Sequence, residues 1–299
     1  MAPGSLLATM NPKVRNFFDF HRLIGVRRQN PLVLVNGLAE QSESWFANRR
    51  SLTRHFDVKT PELLVYDGDS LHRHLDSGGV VSVDYLADRL ATYLNEFVQR
   101  PPYHLVGSSL GGQVIVTLAA RHPELVAKIV LICPSGFHGD EHLPVIDGVR
   151  RSQYDKLVSS VFHRGSSASD HLIEAFEEKF RNRKWKKGLV RTVRGTVGHS
   201  VAPLLELVPH PTLLIWGADD RVISDVRGSM KAADRMIRAR QVLIPKCGHA
   251  PQIEKARLVN TLITRFLRDR LKAIPPLLDP ARPAKEARPM VSWVNGLTT

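Results

Sequence analysis

The pentapeptide Gly107-Ser108-Ser109-Leu110-Gly111 constrains this chain more than any other feature, because of what stands on either side of it. In front lies Tyr103-His104-Leu105-Val106, a short strand pattern after the Pro101-Pro102 break. Behind lies an apolar helical run, residues 112–120, that ends near His122-Pro123. Strand, tight glycine-flanked turn and helix are the context of a nucleophile elbow, where a serine stands clear of a sheet on a strained turn. A serine so placed attacks a carbonyl when a base and an oxyanion site are supplied. By chance alone the pentapeptide would occur in roughly one chain in ten of this length. Its meaning therefore depends on what else the chain carries.

Two later motifs offer an acid and a base. Residues 211–216, Pro-Thr-Leu-Leu-Ile-Trp, read as a buried parallel strand opened by Pro. Gly217-Ala218-Asp219-Asp220-Arg221-Val222 follows it, so the acid is Asp219 or Asp220. A helical stretch (about 224–239) and a short strand, Gln241-Val242-Leu243-Ile244, lead to Cys247-Gly248-His249-Ala250-Pro251. Serine, acid and His249 thus each follow a strand, in the order Ser…Asp…His. In an open parallel sheet the C-terminal strand ends face one crevice, where the three can converge.

The rest of the chain fits such a sheet. Residues 14–29 read as one or two antiparallel edge strands, and 32–35 as a central strand. Residues 43–55 read as a helix, 61–66 as the next strand, and 82–99 as an amphipathic helix. Ile129-Val130-Leu131-Ile132 is the strand after the elbow helix. The alternation implies an α/β fold with a doubly wound, mostly parallel sheet. It breaks between about Pro134 and Val208, a helical, polar block without strand patterns.

The Gly-Ser-Ser-Leu-Gly-Gly elbow, the Trp-Gly-x-x-Asp-Arg loop and the Gly-His-Ala-Pro loop together resemble the α/β-hydrolase family. The likeness is to single-domain esterases and C–C hydrolases with an inserted cap, over roughly residues 14–272. It implies a core of residues 14–134 and 209–274 and a helical cap at 135–208. A flexible N-terminus (1–13) and a Pro-rich tail (275–299) would flank them. It implies catalysis by Ser109, His249 and Asp220, the acid being the third residue after the glycine and preceding Arg221. It also implies an oxyanion hole built from the backbone amides of Leu38 and Leu110. Such enzymes usually carry His-Gly after the third strand, where this chain has Asn36-Gly37. Backbone donors do not depend on that side chain, so the departure bears on the hydrogen bonding of the loop. The activity implied is ester hydrolysis through an acyl-enzyme. The alternatives are C–C, thioester or amide hydrolysis or acyl transfer on the same triad, and a weakly catalytic ligand-binding protein.

Composition bounds the surroundings. The 299 residues can bury a sizeable core. No apolar stretch approaches twenty residues, so no membrane span is expected. Residues 1–10 lack a charged n-region, and Cys133 and Cys247 make no disulfide framework; both point to the cytoplasm. The net charge is +13, with eight basic and no acidic residues from Lys179 to Arg194. Without a recognition module or interleaved aromatics, that run reads as a solvated cap surface rather than a nucleic-acid site. No phosphate loop, dinucleotide fingerprint or metal-ligand spacing is present, so no cofactor or metal is implied. The expected partner is a small ester-like molecule. Phe137, Leu143, Val145, Phe162, Phe176 and Trp185 are the cap residues that could line a pocket, with cap core as the better reading for each.

Overall fold

The computed structural model describes residues 30–40, 42–139, 160–163 and 170–271. The expected edge strands at 14–29, the flexible N-terminus and the Pro-rich tail lie outside those residues. In chain order the strands are β1 (Leu32–Val35), β2 (Val58–Lys59), β3 (Tyr103–Ser108), β4 (Val126–Ile132), β5 (Thr212–Gly217) and β6 (Ala239–Ile244). The helices are α1 (Phe46–Leu52), α2 (Asp69–Asp76), α3 (Val83–Tyr93), α4 (Leu110–Arg121), α5 (Asp170–Arg181), α6 (Arg183–Thr196), α7 (Val226–Ala233), α8 (Pro251–Glu254) and α9 (Ala256–Leu267).

The strands form one sheet in the order β2-β1-β3-β4-β5-β6, and every pairing is parallel. All strand C-termini therefore reach the same edge. β1, β3 and β5 are buried along their whole length, as a sheet covered on both faces requires. Period-two alternation splits their side chains between two cores. Val33 and Val35 join one with α3 and α4, while Leu32 and Leu34 join another with Trp45 and the apolar face of α9.

The strand expected at 61–66 is not there. β2 is the two-residue Val58–Lys59, which pairs with Leu32 and Val33 of β1. Pro61 has no N–H to give to a ladder, and Leu63 and Leu64 turn inward to pack on the first core instead. The helix at 43–55 is shorter than expected: a 3-10 turn, Ser42–Trp45, precedes α1. The stretch 82–99 is a helix capped by Ser82, whose hydroxyl accepts from the Tyr85 N–H at 3.1 Å. Its last turn, Leu94–Val98, widens to a π-turn and ends at Gln99 with φ 55°.

Among the described residues of the 135–208 block there are helices and no strand. Asn182 caps α6, accepting from the amides of Lys184 (2.9 Å) and Trp185 (3.2 Å). Trp185 meets Tyr66 and Phe180 edge-on, at 5.2 and 5.0 Å between ring centroids. The basic run is partly neutralised within the chain. Lys184 pairs with Asp69, and Asp76 takes Arg191 at 2.6 Å and Lys187 at 3.5 Å. Each pair is about half exposed and screened by solvent, so the apolar contacts of Trp185 hold α6 in place. Phe137, Phe162 and Trp185 are all buried. Phe137 packs edge-on against Trp216 at 5.9 Å and Trp185 against two rings, as core residues do. Leu143, Val145 and the side chain of Phe176 lie outside the described residues.

β3 also carries a titratable core group. His104 is buried against Phe56, ring centroids 6.2 Å apart. Burial, then the Lys128 ammonium, pushes its pKa down to about 4. The unfolded chain binds that proton near pH ~6.5, so stability is complete above that pH and is lost as pH falls toward 4. The loss attributable to His104 should reach about 3 kcal/mol. Urea unfolding at pH 7 and pH 4.5 should show a steeper fall in the parent than in His104→Leu. Equal falls would contradict this.

Candidate active site

Ser109 sits between β3 and α4 at φ 49° and ψ −118°, a conformation sparsely used by residues with a Cβ. Close packing holds the turn there. A Cβ on Gly107 would lie 2.6 Å from the carbonyl oxygen of Gly111, and one on Gly111 would lie 2.5 Å from that of Val35. The Ser109 N–H donates to the Ile132 carbonyl at 3.0 Å, tying the turn to the end of β4. Ser108 faces the other way. It is fully buried, its hydroxyl donating to Glu40 Oε1 at 3.3 Å and accepting from Gln252 Nε2 at 3.2 Å.

The loops after β5 and β6 are joined backbone to backbone, the Asp219 N–H donating to the Cys247 carbonyl at 2.9 Å. This brings His249 Nδ1 to 2.8 Å from Asp220 Oδ2. The other carboxylate oxygen of Asp220 accepts from the amides of Val222 (2.8 Å) and Ile223 (3.0 Å). Burial raises the Asp220 pKa, but His249 and the two amides outweigh it and hold the carboxyl below its usual range. Asp219 points elsewhere, its Oδ2 lying 3.0 Å from Nδ1 of His163.

The loop after β1 is held by side chains. Trp45 donates its indole N–H to Asn36 Oδ1 at 2.6 Å, which answers the departure noted at that position. The Gly37 amide donates to Glu40 Oε2 at 2.9 Å, and the Ala39 amide to the Tyr66 hydroxyl at 3.1 Å. The amides of Leu38 and Leu110 donate to no other group among the described residues. Leu110 opens α4, where a helical N–H has no partner within the helix. A cavity of about 30 Å³ adjoins this loop, lined by Gly37, Glu40, Leu63, Leu64, Leu110 and Val114 among others.

No motif marks the contacts that Glu40 and Tyr66 make here. Cys133, with φ 41°, also lies at this edge: its sulfur, an Asp220 oxygen and a His249 nitrogen lie within 4.8 Å of one another. Those donors could geometrically hold a soft cation. Burial first, then the charge of Asp220, pushes the thiol pKa well above its usual value, so it stays protonated and a poor ligand. His72 and His74 share no ligand position: His72 meets the Tyr66 and Lys184 carbonyls, and His74 stacks on Tyr85.

The 135–208 block touches this edge directly. The His249 N–H donates to the Val161 carbonyl at 2.7 Å. Glu254 accepts from the Gly248 amide (2.6 Å) and the His163 amide (2.9 Å), bridging the loop of His249 to that block.

A hydroxyl on a strained turn, an imidazole oriented by an ionised carboxylate and two unused amides share one sheet edge, as in hydrolases that attack carbonyls with a serine. A family model described as the alpha/beta hydrolase family matches residues 32–262, and the chain belongs to that family. The chain is 24% identical to monoacylglycerol lipase abhd6-B of Xenopus laevis, over 79% of this chain and 74% of that one. It is 27% identical to 2-hydroxymuconate semialdehyde hydrolase of Pseudomonas sp. (strain CF600), over 79% and 86%. A serine hydrolase from the polyaromatic hydrocarbon-degrading bacterium Cycloclasticus zankles superposes with a TM-score of 0.71 at 18% identity, covering 83% of this chain and 93% of that one. That likeness is one of fold. Among the described residues no helix is long and apolar enough to cross a membrane.

Proposed function

We propose that this hydrolase cleaves carboxylic esters through an acyl-enzyme formed on Ser109. The observation that carries the reading is the 2.8 Å contact of His249 with Asp220 at the sheet edge that also bears the strained turn of Ser109. In this reading His249 takes the Ser109 proton as the hydroxyl attacks the acyl carbonyl. Asp220 holds the imidazole in the tautomer whose Nε2 is an acceptor, and stabilises its charged form. The Leu38 and Leu110 amides bind the oxyanion, a donor of this kind being worth about 3–4 kcal/mol. Water activated by His249 then releases the acid. The described residues of the 135–208 block belong to a helical cap over the crevice, which is supported by the contact of Val161 with His249. The two buried free cysteines suit a reducing compartment, so we place the protein in the cytoplasm.

The substrate is an uncharged or weakly acidic ester with a small to medium apolar acyl group, pockets of this kind being mostly apolar with a few polar anchors. The excess of basic residues should favour anionic over cationic substrates through encounter rate, an effect that fades with salt. The similarity to 2-hydroxymuconate semialdehyde hydrolase favours one second reading, hydrolysis of a C–C bond beside a ketone by the same residues.

A kcat/KM series on p-nitrophenyl esters from acetate to palmitate, in low and high salt, separates these. A maximum among the short and medium esters is expected. A maximum at palmitate, or a preference for cationic esters, would contradict the substrate class. Turnover of a dienone diketone with no ester cleaved would move the assignment to C–C hydrolysis.

A further inference from the structure

The loop from Asn36 to Glu40 is fixed by groups outside its own backbone. Its first side chain is held by the Trp45 indole at 2.6 Å. The amide just before Leu38 is taken by Glu40 at 2.9 Å, and the one just after it by Tyr66 at 3.1 Å. Ala39 has φ 60°, left-handed backbone that a residue with a Cβ adopts only when its surroundings impose it. The Leu38 amide is thus clamped between two peptide planes, each held by a side chain. It donates to no described group itself. Glu40 also reaches the elbow, since Ser108 donates to its second oxygen at 3.3 Å.

We infer that Glu40 and Tyr66 are positioning residues that aim the Leu38 amide at the oxyanion. The inference rests on the serine-hydrolase reading above. Neither residue touches the substrate's reacting atoms; each acts through the peptide it holds. Tyr66 is 2% exposed and its bond to Ala39 is buried, while Glu40 is part-buried beside the cavity. Burial pushes the Glu40 carboxyl above its usual range, against the lowering influence of the Gly37 amide, His249 and Ser108. Burial likewise pushes the Tyr66 phenol up. Glu40 Oε2 accepts the Gly37 N–H while Oε1 accepts the Ser108 hydroxyl, so the two oxygens of one carboxyl hold the loop and the elbow together.

The Tyr66 contact also links the loop to α6. Its ring packs on Trp185, so the loop of the oxyanion donor and the first turn of α6 share one side chain. Deleting the Tyr66 hydroxyl leaves that packing intact and removes only the bond to Ala39. This makes Tyr66→Phe the cleanest variant.

The test compares the parent with Tyr66→Phe, Glu40→Ala and Glu40→Gln. It measures kcat, KM and thermal midpoint, and the inhibition constant of a trifluoromethyl ketone, whose hemiketal carries an oxyanion. Tyr66→Phe and Glu40→Ala should lower kcat about tenfold with KM nearly unchanged, and weaken the ketone by a similar factor. Glu40→Gln keeps an oxygen for the Gly37 amide and should recover most of the kcat. Folded Tyr66→Phe with parental kcat and parental ketone binding would overturn the proposal. So would a Glu40→Gln as impaired as Glu40→Ala. Should Glu40→Ala fail to fold, Tyr66→Phe decides alone. A parent that cleaves no ester and does not bind the ketone would instead overturn the serine-hydrolase reading, and this proposal with it.

Discussion

Replacing Ser109 with alanine should lower ester turnover by about 10⁴-fold or more, because Ser109 is the proposed nucleophile and the neighbouring Ser108 hydroxyl is engaged by Glu40 and Gln252. Ser108→Ala should remain within about tenfold of the parent. The two serines are adjacent, and composition cannot tell them apart. Geometry can. Ser108 is the last residue of β3, fully buried, and its hydroxyl is engaged by Glu40 and Gln252 behind the sheet edge. Ser109 occupies the strained position at φ 49°. Removing Ser108 loosens the support of the loop after β1 without removing a reacting group. A Ser109→Ala variant that turns over normally would reverse the assignment.

Asp220→Asn should cost about 10³- to 10⁴-fold in kcat, and Asp219→Asn less than about threefold. The amide keeps the shape of the carboxylate but cannot stabilise an imidazolium, and it lets the ring adopt the wrong tautomer. Asp220 accepts from His249 and from two backbone amides, so asparagine must also present its NH2 group, which cannot accept, to one of those sets of donors. With its pKa below the usual carboxylate range, Asp220 stays ionised through the working pH range. An acid fall in kcat/KM therefore belongs to another group. Asp219 faces His163 and should matter little to the chemical step. A larger loss at Asp219 would contradict the geometry.

The central sheet was legible in the sequence because its strands are unbroken apolar runs, as strands buried on both faces must be. Leu32–Val35, the strand leading to the elbow and residues 212–216 fall where the pattern put them. β2 was not legible, because two half-buried residues at a sheet edge leave no periodic signal. Its place was given to 61–66, where Leu63 and Leu64 pack on the first core from a loop while Val65 is exposed. The elbow, the acid loop and the base loop carry local motifs, so Ser109, the Asp219-Asp220 pair and His249 could be picked out. The groups that hold the loop after β1 could not. Tyr66 meets Ala39 across 27 residues, and Gln252 meets Ser108 across 144. Such contacts exist only once the sheet has formed. The basic run shows the same limit. Read alone it is a solvated positive face, yet Lys184 and Arg191 find acids 115 residues earlier in the chain.

The most direct test is covalent. The protein is treated with a fluorophosphonate, digested, and the modified residue located by mass spectrometry, with Ser109→Ala and Asp220→Asn alongside. A single adduct on Ser109 is expected in the parent, formed far more slowly in Asp220→Asn and absent from Ser109→Ala. An adduct on any other residue, or undiminished labelling of Ser109→Ala, would contradict the account.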